Sequence, residues 1–112
     1  MALSHSRKIN VRGLDFEWKF AHGKCRFYKE SPVTGKIVVQ ALTQRGKLVA
    51  HLKANNPPDE YETEMGLFHA AVTPVDVRKV IEAAMDQGWS VLNKEQFQLV
   101  GPLTLTDYSI EA

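Results

Sequence analysis

Hydrophobic and polar positions alternate strictly over residues 14–20, LDFEWKF. Leu14, Phe16, Trp18 and Phe20 fall on one side, and Asp15, Glu17 and Lys19 on the other. A period of two marks a strand with one buried face and one wet face. AHGK, 21–24, contains Gly23 and reads as a tight turn into a returning strand over 24–30. SPVTG, 31–35, is a turn by composition. Residues 36–44 are rich in β-branched side chains and read as a central strand. RGK turns the chain again, and over 48–54 Leu48, Ala50 and Leu52 alternate with Val49, His51 and Lys53. Four strands joined by short turns make an antiparallel meander.

The period changes after residue 54. NNPPDEYETEMG, 55–66, holds two prolines that cannot donate ladder hydrogen bonds, and it reads as a loop carrying an acidic run. Residues 67–72 form a short strand or an extended lead-in. From Thr73 the repeat is helical. Thr73 is a good N-cap, Pro74 suits the first helical position, and Asp76 resembles a shortened capping box while its charge suits the positive helix end. Val77, Val80, Ile81, Ala84 and Met85 line one face, whereas Asp76, Arg78, Lys79, Glu82 and Asp86 lie elsewhere on the wheel. Gly88 stops the helix at a position that needs left-handed backbone, and Trp89 follows where contact back to the last turn is common. Each signal serves helix formation and burial, so the segment is scaffold.

Beyond the helix, Phe97 and Leu99 alternate with Gln96, Gln98 and Val100 in one more strand over 96–100. Gly101-Pro102 breaks it, and 103–105 is placed along an edge. The expected fold is α+β: one domain over 1–112, with an antiparallel β-meander of four to five strands and one helix, about 73–87, packed on one face. Residues 1–7 and 107–112 are expected to fray.

Composition narrows the class. A hydrophobic share of 44% with 24% charged residues is that of a globular chain and excludes general disorder. No apolar run approaches the ~20 residues of a membrane span, and MALSHSRKIN lacks the apolar core of a signal peptide. The expected location is the cytoplasm. The net charge of +1 hides a split. Residues 1–56 hold eleven Lys and Arg against three acids, a net +8, and residues 57–112 hold three against ten, a net −7. Such a split bears on association rather than on fold.

The chemistry that would make an enzyme is missing from the sequence. His5, His22, His51 and His69 show no ligand spacing, and the one cysteine, Cys25, reads as a small buried hydrophobe rather than a nucleophile. There is no nucleophile elbow and no glycine-rich phosphate cradle. The reading is therefore non-catalytic, with no metal and no cofactor. What remains is surface. The outward face of the meander is expected to show Lys19, Arg26, Tyr28, His51 and Lys53, with Val38 and Leu42 beside them. Basic groups, an aromatic and exposed apolar residues suit a protein contact, including a homodimer whose two halves match charge across a two-fold axis. The same basic groups suit a nucleic-acid backbone as the alternative. A small-molecule cleft between helix and sheet, lined by Trp18 and Trp89, is the third reading.

VTPVDVRKVIEAAMDQGW, with RFYKESPVTGKIV before it and FQLVGPLTL after it, resembles small bacterial proteins of accessory and mobile gene pools, of the integron-cassette kind. The likeness runs over residues 24–105 and is carried chiefly by the helix, with T-P, V-R, I, A and G-W at this spacing. It implies a helix after a β-meander and a kind of genome neighbourhood. It assigns no site residue.

Overall fold

The structure, a computed structural model, describes residues 6–23, 31–55, 71–92 and 94–111. Four strands come first: β1 (Arg7–Val11), β2 (Leu14–Gly23), β3 (Ser31–Ala41) and β4 (Lys47–Ala54). The helix α1 (Pro74–Asp86) follows, then β5 (Gln96–Gln98), β6 (Leu103–Thr104) and β7 (Tyr108–Ile110). The sheet order is β1-β2-β3-β4-β7-β6, and β5 pairs with β4 off this path. The fold is α+β with an antiparallel meander, but among the described residues its sheet has seven strands where four to five were expected. No helix among the described residues is long and apolar enough to cross a membrane.

Alternation decides which residues go inside. Phe16, Trp18, Ile37, Val39, Leu48, Ala50 and Leu52 join Val77, Val80, Ile81 and Ala84 of α1 in one buried cluster. The registers place Trp18 opposite Val39 and Ile37 opposite Ala50, so the inward rows of β2, β3 and β4 line up. Phe20 occupies unusual ground. A Cβ on Gly35 would lie 2.6 Å from the Phe20 ring, so the glycine lets that ring lie across β3. Its centroid comes 5.2 Å from that of Tyr108.

Several expectations change. Residues 31–35 are not a turn: they open β3, and the β2–β3 register shifts between His22 and Gly23. An irregularity of this kind is where a sheet tolerates proline and glycine. The returning strand expected over 24–30, the acidic run and His69 lie outside the described residues. β1 was not expected. It closes onto β2 through Arg12 (φ 52) and Gly13 (φ 79), a two-residue turn with both φ positive. Arginine in place of the usual asparagine hides that turn in the sequence. Residues 42–44 are bends rather than the end of the central strand. β5 is shorter than the expected 96–100 and runs parallel to β4, which makes β4–α1–β5 a crossover unit.

The C-terminal end does not fray at Tyr108–Ile110. Tyr108 is 1% exposed, and β7 pairs with both β4 and β6. The turn before it is a knot of polar bonds. Asn55 N–H donates to the Asp107 carbonyl at 2.9 Å, and Ala71 N–H donates to the Asp107 carboxylate at 2.8 Å. The Asn55 side-chain amide donates to the Leu105 carbonyl, while Ser109 Oγ donates to Asn55 Oδ1.

The helix is held at both ends. Thr73 and Asp76 form a full capping box, stronger than the sequence suggested. Asp76, expected on the outer part of the wheel, is 1% exposed because its carboxylate takes four hydrogen bonds. Oδ2 accepts from Thr73 N–H (3.0 Å) and Thr73 Oγ1 (3.1 Å), and Oδ1 accepts from Thr106 N–H (3.0 Å) and Thr106 Oγ1 (2.9 Å). At the other end Gly88 has φ 100, Gly88 N–H donates to Met85 O and Trp89 N–H donates to Ala84 O. This is the Schellman pattern. Trp89 then packs on Phe16 with centroids 5.6 Å apart. The Gln87 side chain donates to the Val100 carbonyl and accepts from Val100 N–H, tying this end to the chain after β5.

Two outcomes are expected. Gly88→Val should lower the melting temperature more than Gly88→Asn, because open space surrounds the site and only the positive φ is at stake. Equal shifts in a thermal melt would show that the left-handed stop is not needed. Asp76→Asn should cost about 1–3 kcal/mol, since an amide cannot accept what two carboxylate oxygens accept. Burial pushes the Asp76 carboxyl up, but its bonds from Thr73 and Thr106 outweigh that and hold it below its ordinary value of 3.8. A lowered folded pKa adds stability above the unfolded value, and that stability is lost as pH falls through the folded one. Denaturation below about pH 4 should therefore show a slope that Asp76→Asn removes.

Candidate functional site: a basic sheet face and a cleft at its seam

The face of the sheet turned away from α1 follows from register. Lys19 stands opposite Val38, and Val38 opposite Val49. In the next row Lys36 stands opposite His51, and in the row after that Thr34 stands opposite Lys53. Lys19, Lys36 and Lys53 thus step diagonally across β2, β3 and β4, with neighbours about 7–8 Å apart at their backbones. Lys8 and Lys47 flank this line, facing Glu17 and Gln40 respectively. Among the described residues, five lysines and a histidine share the face. Lys8, Lys36, His51 and Lys53 are exposed, while Lys19 and Lys47 are half-buried.

Few acids answer them. Lys53 lies 3.5 Å from Glu111 in an exposed ion pair. Among the described residues, no carboxylate lies within ion-pair distance of Lys8, Lys19, Lys36 or Lys47. Glu17 is 5% exposed and accepts from Ser6 Oγ at 2.9 Å. Asp15 accepts from the Asn10 amide at 2.9 Å.

The expected contact residues are thereby placed. Lys19, Val38, His51 and Lys53 do share one face. Leu42 lies past the end of β3, 40% exposed, with its N–H on the Asp15 carbonyl. Arg26 and Tyr28 lie outside the described residues. The apolar component is weak: Val38 is half-buried and Val49 is 5% exposed. A lysine opposite a valine lays its methylene stem along it and keeps only the ammonium in water. Among the described residues the large exposed apolar side chains are Leu14, Leu42, Val75, Leu92 and Val100, none of which is in the central rows of this face.

Two hollows adjoin the sheet. One, of about 240 Å³, is lined by Arg7, Trp18, Lys19, Phe20 and Val72, with the Arg7 guanidinium 5.9 Å over the Trp18 ring. Trp18 thus lines a hollow, whereas Trp89 is 4% exposed against Phe16 and lines neither. The other, of about 320 Å³, opens beside His51 and Lys53 where β4 changes partners. Sequence reasoning placed those two residues but not the cleft, whose other wall comes from Leu99 and from Ser109, Ile110 and Glu111, a segment expected to fray.

Among the described residues, no three His, Cys, Asp or Glu side chains converge as a metal site. Tyr108 Oη and Trp89 Nε1 are buried without a hydrogen-bond partner among the described residues. Burial, with the charge of Asp107 adding to it, pushes the Tyr108 phenol up, so it stays protonated. Comparison with protein families, curated proteins and solved structures finds no match to this chain.

Lys36 and Lys47 have no ion-pair partner among the described residues. Lys36→Gln and Lys47→Gln should each change folding stability by less than about 0.5 kcal/mol, as surface substitutions outside special features do. A larger loss in chemical denaturation would mean that these side chains belong to the scaffold rather than to a contact surface.

Proposed function

We propose that this protein is a non-catalytic binding protein whose outer sheet face holds a nucleic-acid backbone. One observation carries the reading: a diagonal of lysines with two more beside it, four of the five without a carboxylate in ion-pair range among the described residues. Folding usually pairs or scatters surface charge, and a one-signed stripe raises the local concentration of opposite charge. A polyanion that neutralises the stripe releases counter-ions, which supplies affinity without reading sequence. The strands hold these ammonium groups on a stiff frame. The described part of the face has no aromatic for base stacking, so backbone contact dominates. On this reading the protein works in the cytoplasm, as an accessory factor of the kind its sequence resembles.

Self-association through the same face draws little support from apolar area, because Val38 and Val49 are largely covered. A like-charged face also repels its own copy.

The test is fluorescence anisotropy with a mixed-sequence single strand across a salt series. Binding should weaken with salt, with a log–log slope of roughly −2 for three contacts. Lys19→Gln and Lys36→Gln should each reduce the slope by about 0.7. Absence of binding at low salt, or binding that ignores these substitutions, overturns the reading.

A further inference from the structure

The far edge of β4 changes partner along its length, and the change leaves a gap. β5 runs parallel to Lys47–Val49, and β7 runs antiparallel to Lys53–Ala54. Among the described residues no strand pairs with Ala50, His51 or Leu52 along that edge. Successive residues of a strand turn their backbone groups to alternate edges. The Val49 carbonyl accepts from Leu99 N–H at 3.0 Å, so Val49 faces this edge, and His51, two residues on, faces it as well. His51 therefore brings one backbone donor and one backbone acceptor into the gap without a ladder partner from β5 or β7.

The cleft of about 320 Å³ opens at this point, a size that suits a small ligand. Three of its lining side chains are apolar and buried: Leu52 (3% exposed), Leu99 (7%) and Ile110 (4%). The mouth carries one cation and one anion, Lys53 and Glu111, paired at 3.5 Å with side chains 54% and 69% exposed. A pair this exposed holds its partners weakly.

We propose that this cleft binds an apolar α-amino acid as its zwitterion. Each feature has a counterpart in that class. The ligand carboxylate accepts from His51 N–H and takes Lys53 as counter-ion. The ligand ammonium donates to the His51 carbonyl and meets Glu111. The apolar side chain lies against Leu52, Leu99 and Ile110. A simple carboxylate leaves the His51 carbonyl and Glu111 unanswered, and a simple amine leaves His51 N–H and Lys53 unanswered. A site with paired donors and acceptors rejects analogues that lack one of them. The ligand also replaces the missing rungs of the ladder, since it offers one acceptor and one donor on a single carbon, as a strand residue does.

The experiment uses amide chemical-shift titration of the whole chain with three probes: L-leucine, 4-methylpentanoate and 3-methylbutylamine. Leucine should shift the amides of His51, Leu52 and Ile110 and bind at least about tenfold tighter than either analogue, the loss expected when one polar group goes unanswered. Lys53→Gln should weaken leucine and the carboxylate while leaving the amine unchanged. Glu111→Gln should weaken leucine and the amine but not the carboxylate. Lys19→Gln, which bears on polyanion binding, should leave leucine binding as it was, so the two proposals fail separately. Equal affinity for leucine and either analogue, or no shift at His51 at millimolar leucine, overturns the assignment.

Discussion

The Asp76 carboxylate is where the two layers of this protein are joined. One oxygen closes the first turn of α1 through Thr73, and the other holds Thr106 in the turn between β6 and β7. A buried carboxylate is costly unless its lone pairs are filled, and here four donors fill them. That single group sets the height of the helix above the sheet at its start, while Gln87 on Val100 sets it at the end. Between the two clamps, Val77, Val80, Ile81 and Ala84 are fully buried. The chain from 100 to 110 is thus a strap that the helix holds down. Its position places Leu99, Ile110 and Glu111 against β4, so the seam of the sheet depends on a bond made on the other side of the core.

Charge is sorted by the same geometry. The described part of the basic half is mostly strand, and strands send alternate residues outward, so lysines gather on one face. The two halves do meet in places. Arg12 at the β1–β2 turn reaches Asp86 at 3.3 Å and Glu82 at 3.6 Å near the end of α1, and Lys53 reaches Glu111. Those contacts lie at the margins. The centre of the lysine diagonal keeps its charge, which turns a near-neutral chain into a surface with a sign.

The helix was legible in the sequence because its signals are local. Cap, proline, apolar stripe and terminal glycine all lie within seventeen residues and agree with one another. The long strands were legible through alternation, although Ser31–Gly35 was misread because proline and glycine signal a turn more often than a register shift. β6 was placed along an edge, as the sheet order has it, but its partner β7 was not legible. Strands of two or three residues have no period to detect, and their order comes from partners far away in sequence, such as Lys53 for Ser109. The burial of Asp76 was hidden for a related reason: nothing near residue 76 announces Thr106. Of the candidate surface, the residues of β2–β4 were placed correctly by parity. The cleft was invisible because it is made by what β5 and β7 leave uncovered.

The arrangement of β4 has a consequence for the chain as it is made. β1 to β4 precede β5 and β7 in the chain, so a meander that formed before β5 and β7 docked would leave the far edge of β4 bare. A bare edge of apolar residues invites pairing with another nascent chain. The strand reads KLVAHLKA, with Lys47 and Lys53 bracketing its apolar stretch and His51 interrupting it. Charges at the flanks of a sticky segment act as gatekeepers against aggregation. The lysines that give the finished sheet its sign would also guard that edge while it lacks its partners.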